Sequence, residues 1–409
     1  MNFCKIISVV GARPNFMKIA PFIKAIDKHN AGLQSPSGKV EHILVHTGQH
    51  YDVRMSESFF SALGIPDPDI NLEVGSGSHA EQVGHTMMAF EKVLKEHKPD
   101  WVVVVGDVNA TLACSVTAKK ECIKVCHIEA GLRSGDLSMP EEINRLVTDR
   151  LSDLLLTPDQ ISSDNLRKEG TPEEKIRFVG NIMIDTLEAN RDKAASIDLR
   201  QVLVANRSEG SNIKLHLQSP HPDASIAEDS MADINIPSDK GYIAMTLHRP
   251  SNVDKKEVLE SIVDFLLEEV TKEFVLVWPV HPRTRKQLVT FGLWEKIANN
   301  KNIILLEPLG YHEMLRVTMG AKLMMTDSGG LQEECCVLGI PCLTMRWNTE
   351  RPVTLMEHGG ASILVGNDIA LIRKAYFNAI SQKTKPSRPA LWDGHTAERC
   401  LEEILKANF

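Results

Sequence analysis

The stretch Ala-Lys-Leu-Met-Met-Thr-Asp-Ser-Gly-Gly, residues 321–330, decides the fold of the second half of the chain. Its apolar part predicts a buried strand, and Ser328, Gly329 and Gly330 predict a turn into a helix. The first amides of a helix lack internal partners and carry a partial positive charge, so such a turn binds anions, most often phosphate. An ordinary strand-turn-helix with Ser328 as the N-cap is the structural alternative.

Two carboxylates, Glu333 and Glu334, follow this turn. A carboxylate repels phosphate, but it accepts hydrogen bonds from sugar hydroxyls. The pair therefore favours a nucleotide sugar over free phosphate as the ligand.

The composition excludes several classes of protein. The 409 residues are enough for two domains, and 43% hydrophobic with 24% charged residues is typical of a globular chain. A net charge of −8 argues against nucleic-acid binding, which needs a basic surface. No apolar run approaches the roughly 20 residues that span a bilayer, and the chain enters a strand at 5–10 without a signal peptide. We therefore expect a cytoplasmic protein that binds neither nucleic acid nor membrane.

The eight cysteines do not form a paired C-x-x-C pattern. Most lie in apolar runs, where a free cysteine behaves as a small hydrophobic residue. We therefore expect no metal site.

Apolar strands alternate with helical segments along the whole chain. The predicted strands are 5–10, 41–45, 101–105, 123–128, 154–157, 176–181, 242–247, 274–278, 303–306, 321–325 and 342–345. This order predicts an α/β fold with two parallel sheets. We place the first domain at 1–180, completed by a helix near 390–409, and the second at 181–385, with a polar surface excursion at 205–240.

Polar side chains follow the first two strands, at the edge where α/β proteins bind ligands. Arg13 and Lys18 flank the start of the first helix. Because the helix dipole disfavours cations there, we expect an anion such as a diphosphate beside them. Gln49 and His50 follow the second strand and are candidate ligand contacts. Solvated surface bases and plain loop residues are the alternatives.

Three acids occupy similar positions further along the first half. Asp107 and Glu129 each follow a buried strand, and Glu141 begins a helix. Carboxylates at one sheet edge repel one another, so we expect at least one raised pKa and general acid or base chemistry near neutral pH. Taken singly, Asp107 and Glu141 fit helix N-caps, and Glu129 fits a salt bridge to Arg133.

Two histidines of the second half, His248 and His281, also follow strands. A single histidine is more often structural, but two at one sheet edge favour a ligand site. The sequence Gly-Ser-Gly-Ser-His-Ala at 75–80 matches a dinucleotide fingerprint, yet a short half-polar segment precedes it. We interpret 75–80 as a flexible loop.

The chain resembles the non-hydrolysing UDP-N-acetylglucosamine 2-epimerases over residues 5–370, except at 205–240. The motifs that carry the resemblance are Gly11-x-Arg13-Pro14-x-x-x-Lys18, Gly106-Asp107, His127-x-Glu129-Ala130-Gly131-Leu132-Arg133, Pro140-Glu141-Glu142-x-Asn144-Arg145, His248-Arg249, Thr326-Asp327-Ser328-Gly329-Gly330-x-Gln332-Glu333-Glu334 and Thr349-Glu350-Arg351-Pro352. The resemblance implies two Rossmann-like domains with parallel sheets facing across a cleft, as in GT-B glycosyltransferases.

The resemblance also implies residue roles, and we combine these with the candidates that follow the predicted strands, among them Gln49, His50 and His281. The predicted catalytic residues are Asp107, Glu129, Glu141 and His248. The predicted substrate-binding residues are Arg13, Lys18, Gln49, His50, Arg145, His281, Ser328, Gly329, Gly330, Glu334 and Arg351. Among these, Arg13 and the turn after the strand would hold the diphosphate, and Glu334 would hold the ribose.

The reaction implied by the resemblance is reversible epimerisation of UDP-N-acetylglucosamine at C2. UDP leaves by anti elimination to give an enzyme-bound 2-acetamidoglucal, and it adds back as a proton reaches the other face of C2. No cofactor and no metal are implied, and the family implies a homodimer.

Three alternatives stay open. The segment Gly48-Gln49-His50-Tyr51-Asp52 also occurs in relatives that act on UDP-2,3-diacetamido-2,3-dideoxy-glucuronate, and it does not support activation by a second UDP-N-acetylglucosamine. A hydrolysing epimerase would release UDP and N-acetylmannosamine. A GT-B glycosyltransferase is the alternative from a different class, and the three acidic positions disfavour it.

Overall fold

The structure is a computed structural model that describes residues 4–34, 38–48, 64, 66–208, 241–381 and 387–408, without the side chains of Arg13 and Pro14. The chain divides into two compact units. The first unit comprises Met1–Asn190, Glu350–Val353 and Pro389–Phe409, and the second comprises Arg191–Thr349 and Thr354–Arg388. The chain therefore returns to the first unit near its end.

The first unit is built on a parallel sheet, to which the described residues contribute seven strands. These are β1 (Cys4–Val10), β2 (Val40–His46), β3 (Ile70–Asn71), β4 (Trp101–Val105), β5 (Lys124–Ile128), β6 (Leu154–Thr157) and β7 (Ile176–Phe178). Their spatial order is β3-β2-β1-β4-β5-β6-β7. Strand β4 is central, and all of its residues are buried, as its unbroken apolar run predicts.

Helices cover this sheet. Within the described part of the first unit up to residue 190 they are α1 (Arg13–Gly32), α2 (His79–His97), α3 (Asn109–Lys120), α4 (Pro140–Leu151), α5 (Gln160–Lys168) and α6 (Ile182–Ala195), whose last turn passes into the second unit. Helix α2 begins at His79 because Ser78 and Glu81 form a capping box, with the hydroxyl of Ser78 accepting from the Glu81 amide at 3.3 Å. The dinucleotide-like match at 75–80 is thus a loop only as far as the cap Ser78, and its last two residues, His79 and Ala80, begin α2.

The second unit has a parallel sheet of its own. The described strands are β8 (Tyr242–Thr246), β9 (Val275–Pro279), β10 (Ile303–Leu306), β11 (Ala321–Thr326), β12 (Cys342–Thr344) and β13 (Ser362–Leu364). Their order is β10-β9-β8-β11-β12-β13, so β11, which leads into the Gly-rich turn, has a partner on each side. The α/β class with two parallel sheets is confirmed.

The helices of the second unit follow the predicted alternation with local differences. Those described are α7 (Leu199–Ala205), α8 (Pro250–Val253), α9 (Lys256–Phe265), α10 (Pro282–Thr290), α11 (Trp294–Ala298), α12 (Tyr311–Gly320), α13 (Gly329–Leu338) and α14 (Ile369–Ser381). Helix α9 continues beyond Phe265 as a π-helical turn, Leu266–Val270, and a final turn, Thr271–Glu273.

The C-terminal helix, α15 (Thr396–Asn408), belongs to the first unit. The carboxylate of Asp185 on α6 accepts the amides of Thr396 at 3.1 Å and Ala397 at 2.7 Å, and so caps α15. This contact explains why the first unit continues beyond the predicted boundary at 180. The assignment of separate roles to the two domains stays a prediction.

The predicted excursion at 205–240 lies mostly outside the described residues. Its first residues pack on the second sheet, because Arg207 forms an antiparallel bridge with Leu306 and the Ser208 amide donates to Leu305 O at 3.0 Å. Among the helices that the structure describes, none combines the length and the apolar character that crossing a bilayer requires.

Candidate active site

In the first unit, the carboxyl ends of β1, β4 and β5 bring three predicted site residues together. Gly106 follows β4 in the left-handed region, at φ +69°, and a Cβ there would lie 3.0 Å from Lys18 Nζ and 3.5 Å from Glu129 Oε2. Only a residue without a side chain fits this approach. Asp107, Glu129 and Lys18 therefore occupy one edge of the sheet.

Glu129 and Lys18 form a buried ion pair. Lys18 Nζ donates to Glu129 Oε2, and both side chains are less than a tenth exposed. The second oxygen, Oε1, is buried and has no hydrogen-bond partner among the described residues. Lys18 thus contacts a carboxylate rather than standing free at the start of α1, and its predicted place near the diphosphate stays a prediction.

Asp107 is paired with Arg145. The guanidinium Nη1 lies 2.5 Å from Asp107 Oδ2, and Asn144 Nδ2 donates to Asp107 O at 2.8 Å. Arg145 is buried, whereas the Asp107 side chain is 27% exposed. Helix α4 therefore holds Asp107 through its backbone and its carboxylate, and leaves part of the carboxylate accessible.

The acid of α4 that faces inward is Glu142, which the sequence interpretation did not select. Glu142 is buried and lies 2.5 Å from Arg145 Nη2, whereas Glu141 is exposed. Burial raises the pKa of Glu142, but hydrogen bonds from the Ser134 and Gly135 amides and from Arg145 bring it below the ordinary value. The spacing of Glu142 and Arg145, three residues apart on a helix, was the available signal.

The repulsion expected among these acids is offset by their partners. Asp107 has Arg145, and Glu129 has Lys18. The salt bridge considered between Glu129 and Arg133 is absent from the described contacts: Arg133 binds Asp149 at 2.7 Å and Glu169 at 2.7 Å.

Behind this edge lies a second buried ion pair that the sequence interpretation missed. His127 Nδ1 is 2.6 Å from Asp149 Oδ1, and His127 Nε2 is 2.8 Å from Gly106 O. Asp149 Oδ2 also accepts the Gly131 amide at 3.0 Å. The two residues stand on different elements, β5 and α4, so no local pattern in the sequence pairs them.

The remaining predicted residues of this unit are described less completely. Arg13 is the first residue of α1, but its side chain lies outside the described atoms, as do Gln49 and His50 entirely. Arg351 is buried, groups with the first unit rather than with the Gly-rich turn, and forms an ion pair with Glu350.

In the second unit, β11 delivers the Gly-rich turn to the start of α13 as predicted. Ser328 holds the N-cap position, but its side chain makes no capping hydrogen bond, and a Cβ at Gly330 would meet no atom within 4 Å. The first amides of α13 are thus left without a side-chain cap, which is the arrangement of an anion site.

His248 lies beside this turn and is hydrogen-bonded to the buried carboxylate of Asp327. Asp327 Oδ1 lies 2.8 Å from His248 Nδ1, and Asp327 Oδ2 accepts the Arg249 amide at 2.8 Å and Asn252 Nδ2 at 3.0 Å. Burial raises the pKa of Asp327, but the bonds from His248 and the Arg249 amide lower it below its ordinary value. Because Nδ1 of His248 donates to this carboxylate, Nε2 is the ring atom left for a ligand.

His281 packs against His248 with ring centroids 5.5 Å apart. Its Nδ1 accepts the Arg283 amide at 3.2 Å, so the ring caps α10 and carries its proton on Nε2. Burial and the neighbouring His248 lower the pKa of His281. The structure thus brings the two predicted histidines together. In each ring Nδ1 is already hydrogen-bonded within the protein, to Asp327 in His248 and to the Arg283 amide in His281.

Glu334 is buried on the first turns of α13. Burial, followed by the charge of Glu333, raises the pKa of Glu334 to about 8, and the hydroxyl of Tyr311 acts in the opposite direction. A carboxyl that retains its proton at neutral pH both donates and accepts hydrogen bonds, which suits a pair of sugar hydroxyls. Among the described residues, no group of histidine, cysteine and acidic side chains is arranged to hold a metal ion.

Comparison with known proteins gives one consistent family. Residues 34–405 match the model of the UDP-N-acetylglucosamine 2-epimerase family. The chain is 39% identical to the UDP-N-acetylglucosamine 2-epimerase of Methanocaldococcus jannaschii, over 99% of this chain and 100% of that one. It is 35% identical to the UDP-2,3-diacetamido-2,3-dideoxy-D-glucuronate 2-epimerase of Pseudomonas aeruginosa, over 98% of this chain and 99% of that one.

Solved structures agree with this result. The M. jannaschii enzyme in complex with UDP-GlcNAc and UDP matches with a TM-score of 0.80 at 38% identity, covering 98% of this chain and 99% of that one. A lipopolysaccharide outer core galactosyltransferase matches with a TM-score of 0.52 at 13% identity, over 99% of this chain and 100% of that one. The second likeness is one of fold alone.

Proposed function

Because the chain belongs to the UDP-N-acetylglucosamine 2-epimerase family, we propose that it interconverts UDP-N-acetylglucosamine and UDP-N-acetylmannosamine. The observation that carries the proposal is the edge of the first sheet, where Asp107 and Glu129 are each held by a buried cation. Proton transfer at C2 needs positioned carboxylates, and this edge supplies two.

The reaction proceeds in two steps that balance without a cofactor. A base removes the C2 proton, and the electron pair of that C–H bond forms the double bond between C1 and C2. The bond between C1 and the UDP oxygen breaks at the same time, and its electron pair leaves on the β-phosphate oxygen. The intermediate is a 2-acetamidoglucal. The same UDP oxygen then attacks C1 while an acid delivers a proton to the other face of C2, which inverts that carbon.

We assign the proton transfers to the first unit. Asp107 has an accessible carboxylate fixed by Arg145, and Glu129 has an oxygen without a hydrogen-bond partner among the described residues. Asp107 is therefore placed to exchange a proton with a ligand directly, and Glu129 is the candidate for the second transfer, with an acceptor position on its buried oxygen that no described residue fills. Glu141, which is exposed at the start of α4, is the third candidate.

We assign the departing UDP to the second unit. The uncapped start of α13 supports the diphosphate charge as it develops, and His248 Nε2 adds a hydrogen bond to it. Glu334 serves the ribose. Arg13, Lys18, His281 and Arg351 complete the predicted contacts to the nucleotide and the sugar.

The identity of the sugar is tested by product analysis. The 35% identity to a diacetamido-glucuronate epimerase makes that sugar the second candidate. The purified protein is incubated separately with UDP-N-acetylglucosamine and with UDP-2,3-diacetamido-2,3-dideoxy-glucuronate, and the products are followed by NMR. We expect UDP-N-acetylmannosamine from the first. Turnover of the second alone would select the other sugar, and free N-acetylmannosamine with UDP would indicate a hydrolysing enzyme.

We also propose that the protein is a homodimer that uses the outer face of α2, α3 and α4. These neighbouring helices expose Met88 to 60%, Ile143 to 48% and Val147 to 36%, and Leu112 and Val116 between them are half-buried. Large apolar side chains that adjoin in this way are typical of a surface that a second copy covers.

The dimer face is tested with Val147→Glu. Light scattering should report twice the 45.5 kDa chain mass for the parent protein and one chain mass for the variant, because an unpaired charge buried in an apolar interface is costly. Val289→Glu is the matched control, since Val289 is exposed on α10 of the second unit. A monomeric parent protein, or a variant that stays dimeric, would refute this face.

A further inference from the structure

The buried pair of His127 and Asp149 has no role in the chemistry described so far, although it touches both loops that carry the proposed acids. Both side chains are almost wholly inaccessible, at 0% and 2% exposure. A buried ion pair needs good geometry and several hydrogen bonds to offset its desolvation. Because burying this ion pair costs free energy, its presence next to the candidate site indicates a role for it there.

Each polar atom of the pair has a partner. On the histidine, Nδ1 faces Asp149 Oδ1 at 2.6 Å and Nε2 faces Gly106 O at 2.8 Å. On the aspartate, Oδ2 accepts from the Gly131 amide at 3.0 Å and from Arg133 at 2.7 Å. The pair is therefore a junction between β5, α4 and two loops.

The hydrogen bonds also define the protonation of the ring. A backbone carbonyl only accepts, so Nε2 of His127 carries hydrogen. Asp149 Oδ2 accepts from two donors other than His127, the Gly131 amide and the Arg133 guanidinium, and these bonds favour the carboxylate form of Asp149. Nδ1 must then donate as well, and the ring is an imidazolium with both N–H groups in use.

The two loops at this junction are those of the proposed acids. Gly106 immediately precedes Asp107, and Gly131 lies in the turn that follows Glu129. Glu129 itself is in the left-handed region, at φ +71°, a conformation that costs free energy for a residue with a side chain. The contact between Gly131 and Asp149 helps to hold this strained turn.

We propose that the His127–Asp149 ion pair is a positioning unit, which fixes the loops of Asp107 and Glu129 relative to each other for proton transfer at C2. Neither residue touches the substrate in this role. The inference rests on the proposed function, because its consequence is measured as C2 exchange.

The test is Asp149→Asn in the full chain. The amide has the size of the carboxylate, but it donates to Nδ1 of His127, so the ring becomes neutral and the ion pair is lost. We expect kcat for C2 exchange to fall on the order of 10²-fold, the effect of a small misplacement of reacting groups, with KM and the Kd for UDP within about twofold.

A spectroscopic measurement reads the ion pair without substrate. In protein labelled with ¹⁵N-histidine, the parent should show two ring N–H signals for His127, assigned by their absence in His127→Gln. Asp149→Asn should retain one. This measurement on the parent protein stands even where a variant folds poorly.

Asp153→Asn is the matched control. Asp153 is also a partly buried aspartate in an ion pair, with Lys119 at 2.8 Å, and it accepts the Val125 amide at 2.8 Å. Asp153 binds the amino end of β5, whereas Asp149 binds His127 and the Gly131 amide at the carboxyl end. We expect its variant to retain parent kcat.

Three results would overturn the proposal: unchanged kcat in Asp149→Asn, an equal loss in Asp153→Asn, or a single ring N–H for His127 in the parent protein. Absence of C2 exchange in the parent would refute the proposed function instead. The count of ring N–H signals distinguishes that case, because it reports on the ion pair alone.

Discussion

Asp107 and Glu129 differ in how much they are enclosed, and this difference governs what each is able to do. The side chain of Asp107 is 27% exposed and forms an ion pair with Arg145. The side chain of Glu129 is only 2% exposed and forms an ion pair with Lys18. A partly open carboxylate can reach a substrate proton without rearrangement. Asp107 is therefore the residue whose loss is easiest to interpret.

Asp107→Asn should lower the rate of C2 exchange by about 10²- to 10⁴-fold, the usual contribution of a positioned acid or base. The amide retains an oxygen for Arg145, so folding and UDP binding should be preserved. Exchange is measured by NMR and UDP affinity by calorimetry. Parent exchange rates in the variant would contradict the role of Asp107 in proton transfer.

Glu334 predicts a pH dependence of stability. Its folded pKa of about 8 lies above the ordinary 4.5, so the folded state retains a proton that the unfolded state has released. Stability is therefore fully present below about pH 4.5 and is lost as the pH rises towards 8.

This pH dependence is measured by comparing the parent with Glu334→Gln, which cannot ionise. Between about pH 5 and pH 8 the melting temperature of the parent should fall by a few degrees more than that of the variant. Equal slopes in the two proteins would show that Glu334 does not hold its proton in the folded state.

The sequence does not determine which of the neighbouring acids Glu141 and Glu142 faces the interior of the first unit. Neighbouring residues on a helix point about 100° apart, so the register of α4 decides which acid faces inward. Both acids fit the resemblance motif, and the catalytic role of Glu141 stays a prediction. Only the packing of α4 against the sheet, through Asn144 and Arg145, turned Glu142 inward.

At the scale of elements, apolar runs predicted most of the strands because parallel strands are buried on both faces. Strand β4 and strand β11 lie where their runs indicated. The run at 176–181 was predicted too long, since β7 ends at Phe178. The small helix at Pro250–Val253 and the π-helical turn were not predicted, because neither has a periodic apolar pattern of its own.

The Gly-rich turn provides the prediction for this scale. Gly330→Leu should preserve the fold, because a Cβ there meets no atom within 4 Å and leucine favours helices more than glycine does. The side chain should nevertheless obstruct the approach of phosphate to the first amides of α13, and raise the Kd for UDP about tenfold or more.

The matched control for this turn is Gly84→Leu, at a helical glycine of α2 whose Cβ would also meet no atom within 4 Å. It should bind UDP as the parent does. If Gly330→Leu also binds UDP with parent affinity, the start of α13 is not the phosphate site.

At the scale of the molecule, contacts between distant parts of the chain were the least predictable. The pairing of α15 with α1 and its cap from Asp185 join residues more than two hundred positions apart. Likewise, the grouping of Arg351 with the first unit does not follow from its place in the chain, between β12 and β13 of the second unit. Sequence periodicity reports on local burial, whereas these contacts depend on how whole elements pack.

The central claim is that proton transfer at C2 accompanies reversible loss of UDP, and exchange in deuterated water tests it most directly. The protein is incubated with UDP-N-acetylglucosamine in D₂O and followed by proton NMR. We predict deuterium at C2 of UDP-N-acetylmannosamine and, as the reaction reverses, at C2 of the remaining UDP-N-acetylglucosamine. Epimerisation that retains the original hydrogen at C2, or no exchange at all, would contradict the account.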